Sequence, residues 1–324
     1  EYRTGFMRNI EVVVQPPNIL YRIDELCQSA GGKNMKKIMF IGSIILCLLL
    51  TACGKESSTS SGSLDEPTSS ISEPTTVTEQ EMTLTLDFWD DTKTGVLTAQ
   101  QRTGIYSGQV VNGIPEGMGT FKSKNPEGNE WYYEGEFKNG TFNGKGKSVW
   151  PQNDTREKEY TEIGTYKNGL FVPNKGELIA YLGGVGLYGD YAVSDASISF
   201  IDAHENFFPT QTEADLQALE PFIDRSVEYK HLTKSITPYL SSIISIPNVS
   251  VSQIFETPLA GHTITSMLAL NQDGNCFVIH FDRALDIYEG DTISLYGLPI
   301  ATSSFDNVSG GTTNNIVIYG CCLS

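Results

Sequence analysis

Positive charge is scarce in this sequence. The chain of 324 residues carries 22 Lys and Arg against 39 Asp and Glu, a net charge of −17. From Ser241 to the end there is one basic residue, Arg283, against seven acids: Glu256, Asp273, Asp282, Asp286, Glu289, Asp291 and Asp306. A nucleic-acid groove needs Lys and Arg to follow the phosphates, so nucleic acid is excluded as a partner. Histidine (four) and cysteine (six) are sparse and show no metal-ligand spacing, so no metal and no other cofactor is expected. Long hydrophobic runs are missing too. The pronounced apolar stretch, Ile38–Leu50, has thirteen residues, short of the ~20 that cross a bilayer. Catalytic motifs are also lacking. Gly184-Val-Gly186-Leu-Tyr-Gly189 satisfies G-x-G-x-x-G, yet no helical period opens at its glycines, and a glycine-rich hairpin is expected there instead. His204-Glu205 has Phe208 where a zinc protease needs its second histidine.

What is present begins with Met35–Cys53, MKKIMFIGSIILCLLLTAC: two lysines, the apolar run, then Leu50-Thr51-Ala52-Cys53. These are the parts of a secretory signal, and the ending resembles a bacterial lipobox. That resemblance implies diacylglyceryl transfer to Cys53, cleavage before it, and an outward-facing, lipid-anchored position at the cell membrane. Residues 1–34 show no period, and Gly31-Gly32-Lys33-Asn34 before Met35 can encode a ribosome-binding site, so an over-long gene start is expected there. A chain beginning at Cys53 has 16 basic and 35 acidic residues, a net charge of −19. Residues 54–81 are rich in Ser, Thr, Pro and Glu with almost nothing to bury, and read as a disordered tether.

Two stretches further on align without gaps. From Tyr106 the glycines Gly108, Gly113, Gly117 and Gly119 fall at +2, +7, +11 and +13, and from Tyr133 so do Gly135, Gly140, Gly144 and Gly146. A degenerate third copy holds Gly164, Tyr166 and Gly169. Each copy contains Asn-Gly, the strongest short hairpin signal. The pattern resembles the MORN repeat, which implies a stack of β-hairpins. Aromatic residues then recur along one face. Tyr106, Tyr133, Trp150 and Tyr166 either form a ligand-binding stripe for sugar or peptide, or pack as core with Phe121 and Phe137. Residues 104–176 hold nine basic and nine acidic residues, which gives little attraction to anionic lipid headgroups.

Beyond the repeats, Ser197–Phe208 reads as a short helix stopped by Pro209. Thr212-Glu-Ala-Asp215 resembles a capping box opening another toward Leu219. From Lys234 onward the pattern is all β, with strands expected near Val249–Glu256, Thr263–Leu270, Cys276–Phe281, Thr292–Leu298 and Asn315–Tyr319. Five strands with a turning link after the third resemble an OB-type barrel. In such a barrel Cys276 and either Cys321 or Cys322 lie on neighbouring strands, so one bridge is open, and at least one of the last two thiols stays free. The acids Asp282, Asp286, Glu289 and Asp291 either gather around Ca²⁺ or are solvated loop charge, and no EF-hand spacing is present. His280 falls on a strand with no serine or cysteine partner suggested by motif.

The expected fold is therefore mainly β. A MORN-type hairpin stack (82–190) leads through a helical connector (191–233) to a five-stranded OB-like barrel (234–324), behind the signal (35–53) and tether (54–81). The expected function is a non-catalytic envelope lipoprotein presenting a surface to a protein or to cell-wall glycan. The alternative is a cell-surface enzyme on glycan whose acids converge only in the fold.

Overall fold

The computed structural model describes residues 73–89, 97–153, 158–186, 188–306 and 310–324. The signal, Cys53 and the tether up to residue 72 lie outside the described residues. The first sheet has seven antiparallel strands in sequence order: β1 (Thr75–Trp89), β2 (Leu97–Val111), β3 (Ile114–Lys124), β4 (Glu130–Lys138), β5 (Thr141–Trp150), β6 (Tyr160–Lys167) and β7 (Leu170–Phe171). Strand period explains it. In β4, Trp131, Tyr133 and Phe137 face inward while Glu130, Glu134, Glu136 and Lys138 are exposed. The hairpins turn at Asn112-Gly113, Asn139-Gly140 and Asn168-Gly169, all at positive φ, as a type I′ turn requires. The sheet curls on itself: Asp87 N–H donates to Asn168 O at 3.1 Å, and Leu84 and Leu86 of β1 join the aromatic core. One expectation is corrected here. Strand β1 begins at Thr75, inside the stretch read as tether up to residue 81, because Thr75-Thr-Val77 is β-branched and pairs with β2.

A helix stands where a glycine hairpin was expected, so the helical part begins within the span read as repeats up to residue 190 and not at residue 191. Helix α1 (Lys175–Val185) opens on a capping box, with Asn174 and Glu177 bonding each other's backbone N–H, and ends at Gly186 in the left-handed conformation. Of the glycines in the G-x-G-x-x-G stretch, Gly184 thus lies inside a helix, Gly186 caps it and Gly189 lies beyond it; a dinucleotide site has them opening a helix. The chain tolerates Gly183 mid-helix because a Cβ there would run into the Tyr191 carbonyl. Helix α2 (Asp195–Ala203) and a 3₁₀ turn (Glu205–Phe207) fill the expected Ser197–Phe208 segment. Helix α3 (Glu213–Leu219) has the expected Thr212–Asp215 capping box. Strand β8 (Ile223–Asp224) and helix α4 (Tyr229–Lys234) lead into the last domain.

That domain is a closed barrel of β9 (Ile243–Leu259), β10 (His262–Leu270), β11 (Cys276–Phe281), β12 (Thr292–Asp306) and β13 (Thr312–Leu323). The order is β10-β11-β13-β12-β9, and the long β9 pairs with β10 as well as β12, which closes it. Its strands are buried on both faces. Val249, Met267, Phe277, Ile279, Ile316 and Ile318 fill the inside. Ile264, Leu268, Val278, Leu298 and Val317 pack outward under Leu178, Ile179 and Leu182 of α1 and Ile201 of α2. All six residues of β11 are buried, hence its apolar run, interrupted only by His280. The fold is mainly β, as expected: hairpin stack, helical connector, five-stranded barrel.

The bridge from Cys276 does not form. Strands β11 and β13 are neighbours but parallel, so Cys276 stands opposite Asn315, and Cys321 lies six residues on, roughly 20 Å away at ~3.3 Å per residue. All three thiols are free and buried.

Candidate functional site

Five glycines pair directly across five strands: Gly108, Gly119, Gly135, Gly146 and Gly164, from β2 to β6. They leave a row without side chains on the inner face, and the repeat tyrosines lie in it. Tyr106 covers Gly119 and Tyr133 covers Gly146, so that a Cβ on Gly146 would sit 2.5 Å from Cε2 and Cζ of Tyr133. Each hydroxyl donates to a carbonyl three residues on, Tyr106 to Gln109 O at 2.6 Å and Tyr133 to Glu136 O at 2.9 Å. Burial pushes the Tyr106 phenol up to about 12 and that of Tyr133 higher still. The other motif glycines have backbone tasks. Gly113, Gly140 and Gly169 form the turns. Gly117 and Gly144 lie beside Gln109 and Glu136, which accept the N–H of Met118 (3.3 Å) and Lys145 (3.0 Å).

The ligand-stripe reading of the aromatics is overturned for three of its four residues. Tyr106, Tyr133 and Tyr166 are buried, packed with Phe121, Phe137 and Phe142, and Tyr133 stacks on Phe142 at 3.9 Å. Trp150 is partly exposed, stacked on Trp131 at 6.3 Å and tilted against Tyr160 at 5.1 Å. The rings turned inward because the glycine row gives them room there.

Counting back six residues from each Asn-Gly turn gives Tyr106, Tyr133 and, in the third copy, Glu162. Glu162 therefore occupies the tyrosine position. Its carboxylate accepts from Tyr160 at 3.0 Å, and Tyr160 shares a further hydrogen bond with Tyr181 of α1. Burial among these rings pushes Glu162 up to about 7. Sequence reading missed this carboxylate by describing the third copy only from Gly164 onward; the six-residue spacing was the signal.

The outer face of the sheet is polar. The directly paired row Ser107, Thr120, Glu134, Lys147 and Ile163 crosses β2 to β6, with Ile163 62% exposed. Exposed Ile105 and Met118 lie on the same face, among Lys122, Glu136 and Lys145. Residues 104–176 carry balanced charge, nine basic and nine acidic, whereas the rest of the chain is strongly acidic.

His280 does have a serine partner. Register sets Ser266 opposite it, and Ser266 Oγ lies 2.9 Å from His280 Nδ1. Both are buried beneath the connector, and burial pushes His280 down to about 4. A substrate has no path to that pair. The loop acids do not converge: Asp282 bonds His262 at 2.9 Å and Asp291 accepts the Tyr288 N–H at 2.8 Å. Among the described residues no three His, Cys, Asp or Glu side chains are placed to hold a metal ion. An open depression of about 560 Å³ beside β8 is lined by Phe222, Arg225, Ser241 and Asp224; the Asp224 carboxylate is occupied by Ser226.

The MORN repeat family matches residues 106–125 and 133–155. No curated protein and no solved structure matches the chain.

Proposed function

We propose that this chain, organised around its MORN repeats, is a lipid-anchored protein of the outer cell surface. Its repeat sheet would serve as a binding or scaffolding surface for an envelope protein or cell-wall glycan. MORN repeats are commonly binding or scaffolding modules. The observation that carries the reading is the division of the sheet: Tyr106, Tyr133, Phe137 and Phe142 are spent on the curled interior, and a continuous, charge-balanced outer row from Ser107 to Ile163 is partly or fully open to solvent. In a protein otherwise dense in negative charge, this is the face a partner of either sign can approach without strong repulsion. The anchor reading rests on Leu50-Thr51-Ala52-Cys53 and the Ser/Thr/Pro/Glu stretch after it.

An OB-type reading of the barrel is supported by its strand order and by the first strand bridging the second and fourth. Such barrels bind oligonucleotides and oligosaccharides on the face of their second and third strands. Here the outward residues Ile264, Leu268 and Val278 of those strands are packed under α1 and α2. The barrel is thus a support for the repeat sheet, and recognition falls to the latter.

Photo-crosslinking residues placed singly at Thr120, Glu134 and Lys147 in intact cells test this, with Asp273 in the β10–β11 turn as control. The expected result is one product common to the three sheet positions, weakened by Lys145→Glu and absent from Asp273. Products identical at Asp273 would refute it. Soluble fragments released from purified wall glycan would instead establish the enzymatic alternative.

A further inference from the structure

The three Asn-Gly turns share one sequence and one backbone: Asn112, Asn139, Asn168 and the glycines after them all stand at positive φ. Their surroundings differ. The Gly140 N–H donates to Pro115 O of the hairpin before it at 3.0 Å, and a Cβ at Gly140 would meet Ile114 Cγ2 at 3.4 Å. The Gly169 N–H donates to Phe142 O at 3.0 Å, Asn168 O accepts the Asp87 N–H at 3.1 Å, and a Cβ at Gly169 would lie 3.1 Å from Leu86. Gly113 belongs to the first repeat and has no earlier repeat hairpin to lean on. Among the described residues its N–H meets no acceptor, and a Cβ placed on it would find nothing beyond its chain neighbours within 4 Å. Both Asn112 and Gly113 are exposed.

The difference bears on a covalent reaction. An Asn-Gly pair leaves the backbone nitrogen unhindered for attack on the asparagine side chain, since glycine has no Cβ to block the approach. The turn must loosen for that nitrogen to reach Cγ, and a hydrogen bond or a packed neighbour at the glycine opposes the loosening. We propose that Asn112-Gly113 is a self-modification site, which deamidates in the folded protein while Asn139 and Asn168 are protected. The Gly113 nitrogen gives up its proton and bonds to Asn112 Cγ. The Cγ–Nδ2 bond breaks, and the side-chain amide leaves as ammonia with that proton. Water then adds across one of the two carbonyl–nitrogen bonds of the succinimide ring, leaving aspartate or isoaspartate, and nothing is oxidised or reduced. Either product puts a carboxylate at the tip of the first hairpin, in a repeat segment whose nine basic and nine acidic residues otherwise balance. Isoaspartate also lengthens the main chain, which a two-residue turn cannot absorb without shifting β2 against β3. The step needs no partner, and it holds whatever the outer face binds.

The test incubates the purified full chain in heavy-oxygen water at mildly alkaline pH. Its peptides are then mapped by mass spectrometry, with aspartate and isoaspartate forms separated. Label should enter at Asn112 about fivefold faster than at Asn139, the factor that the net worth of one hydrogen bond gives, and more slowly still at Asn168. In the urea-unfolded chain the three rates should converge, because the reacting pair is the same and only the fold distinguishes them. Equal rates at Asn112 and Asn139 in the folded protein would overturn the proposal. So would an order of rates that survives unfolding unchanged, or no label at Asn112 until the chain is unfolded.

Discussion

Replacing Gly146 by alanine tests whether the tyrosine-over-glycine arrangement holds the repeats together. Gly146 has no left-handed backbone to strain, so the added methyl is the whole perturbation. That methyl would lie 2.5 Å from Cε2 and Cζ of Tyr133, ~1 Å short of comfortable carbon contact. The ring cannot simply retreat. Tyr133 is buried, its hydroxyl is held by Glu136 O at 2.9 Å, and its face lies 3.9 Å from Phe142. Overpacking of this kind costs about 1–3 kcal/mol, and losing the hydroxyl's bond adds about 1 kcal/mol. Gly146→Ala should therefore lower stability by ~2–4 kcal/mol in urea unfolding with m unchanged. Tyr133→Leu removes the ring that clashes, so the double variant should lose much less than the two single losses added. Additive losses within ~0.5 kcal/mol would refute the direct contact, and an unchanged midpoint in Gly146→Ala would refute the close packing altogether.

Glu162 should make the protein more stable in acid: its folded value of about 7 stands above the ordinary 4.5, so stability falls as pH rises between them, by up to ~3 kcal/mol. Glu162→Gln should flatten that slope in thermal unfolding and exceed wild type above pH ~8; parallel curves would count against a buried carboxylate. The three thiols Cys276, Cys321 and Cys322 should resist a thiol reagent in native protein lacking Cys53 and react as three on unfolding without reductant. A count of one would establish a bridge. Cys53→Ala should leave an uncut, unlipidated precursor by mass spectrometry, and normal processing of that variant would end the lipobox reading.

The sequence was most legible where a residue type has one physical use. Asn-Gly located all three repeat turns, and short β-rich runs bounded by turn residues located the barrel strands, although β9, β12 and β13 run beyond the expected limits. It was misread where glycine serves two ends. Gly184, Gly186 and Gly189 suggested a hairpin, whereas the first two belong to α1 and its cap, announced by Asn174 and Glu177. The site residues depended on register, which one chain read linearly does not show. The Ser266–His280 pair lies across strands, the carboxylate of Glu162 hides in a tyrosine's place, and the sense of the β11–β13 pairing keeps the cysteines apart.

Helix α1 imitates a repeat. Its Glu177 accepts the Thr165 N–H at 3.0 Å, as Glu136 accepts that of Lys145 and Gln109 that of Met118, and its Tyr181 meets Phe171 at 5.7 Å. A hairpin array has no intrinsic length, since each unit offers the next an edge to grow on. By presenting a repeat-like contact on a helix, which has no free edge, the chain terminates the array and fixes its span. Cut after Phe171, the same sheet would expose Tyr166 and a bare strand. It would then be a growing point for end-to-end assembly, which α1 covers by taking the Thr165 N–H.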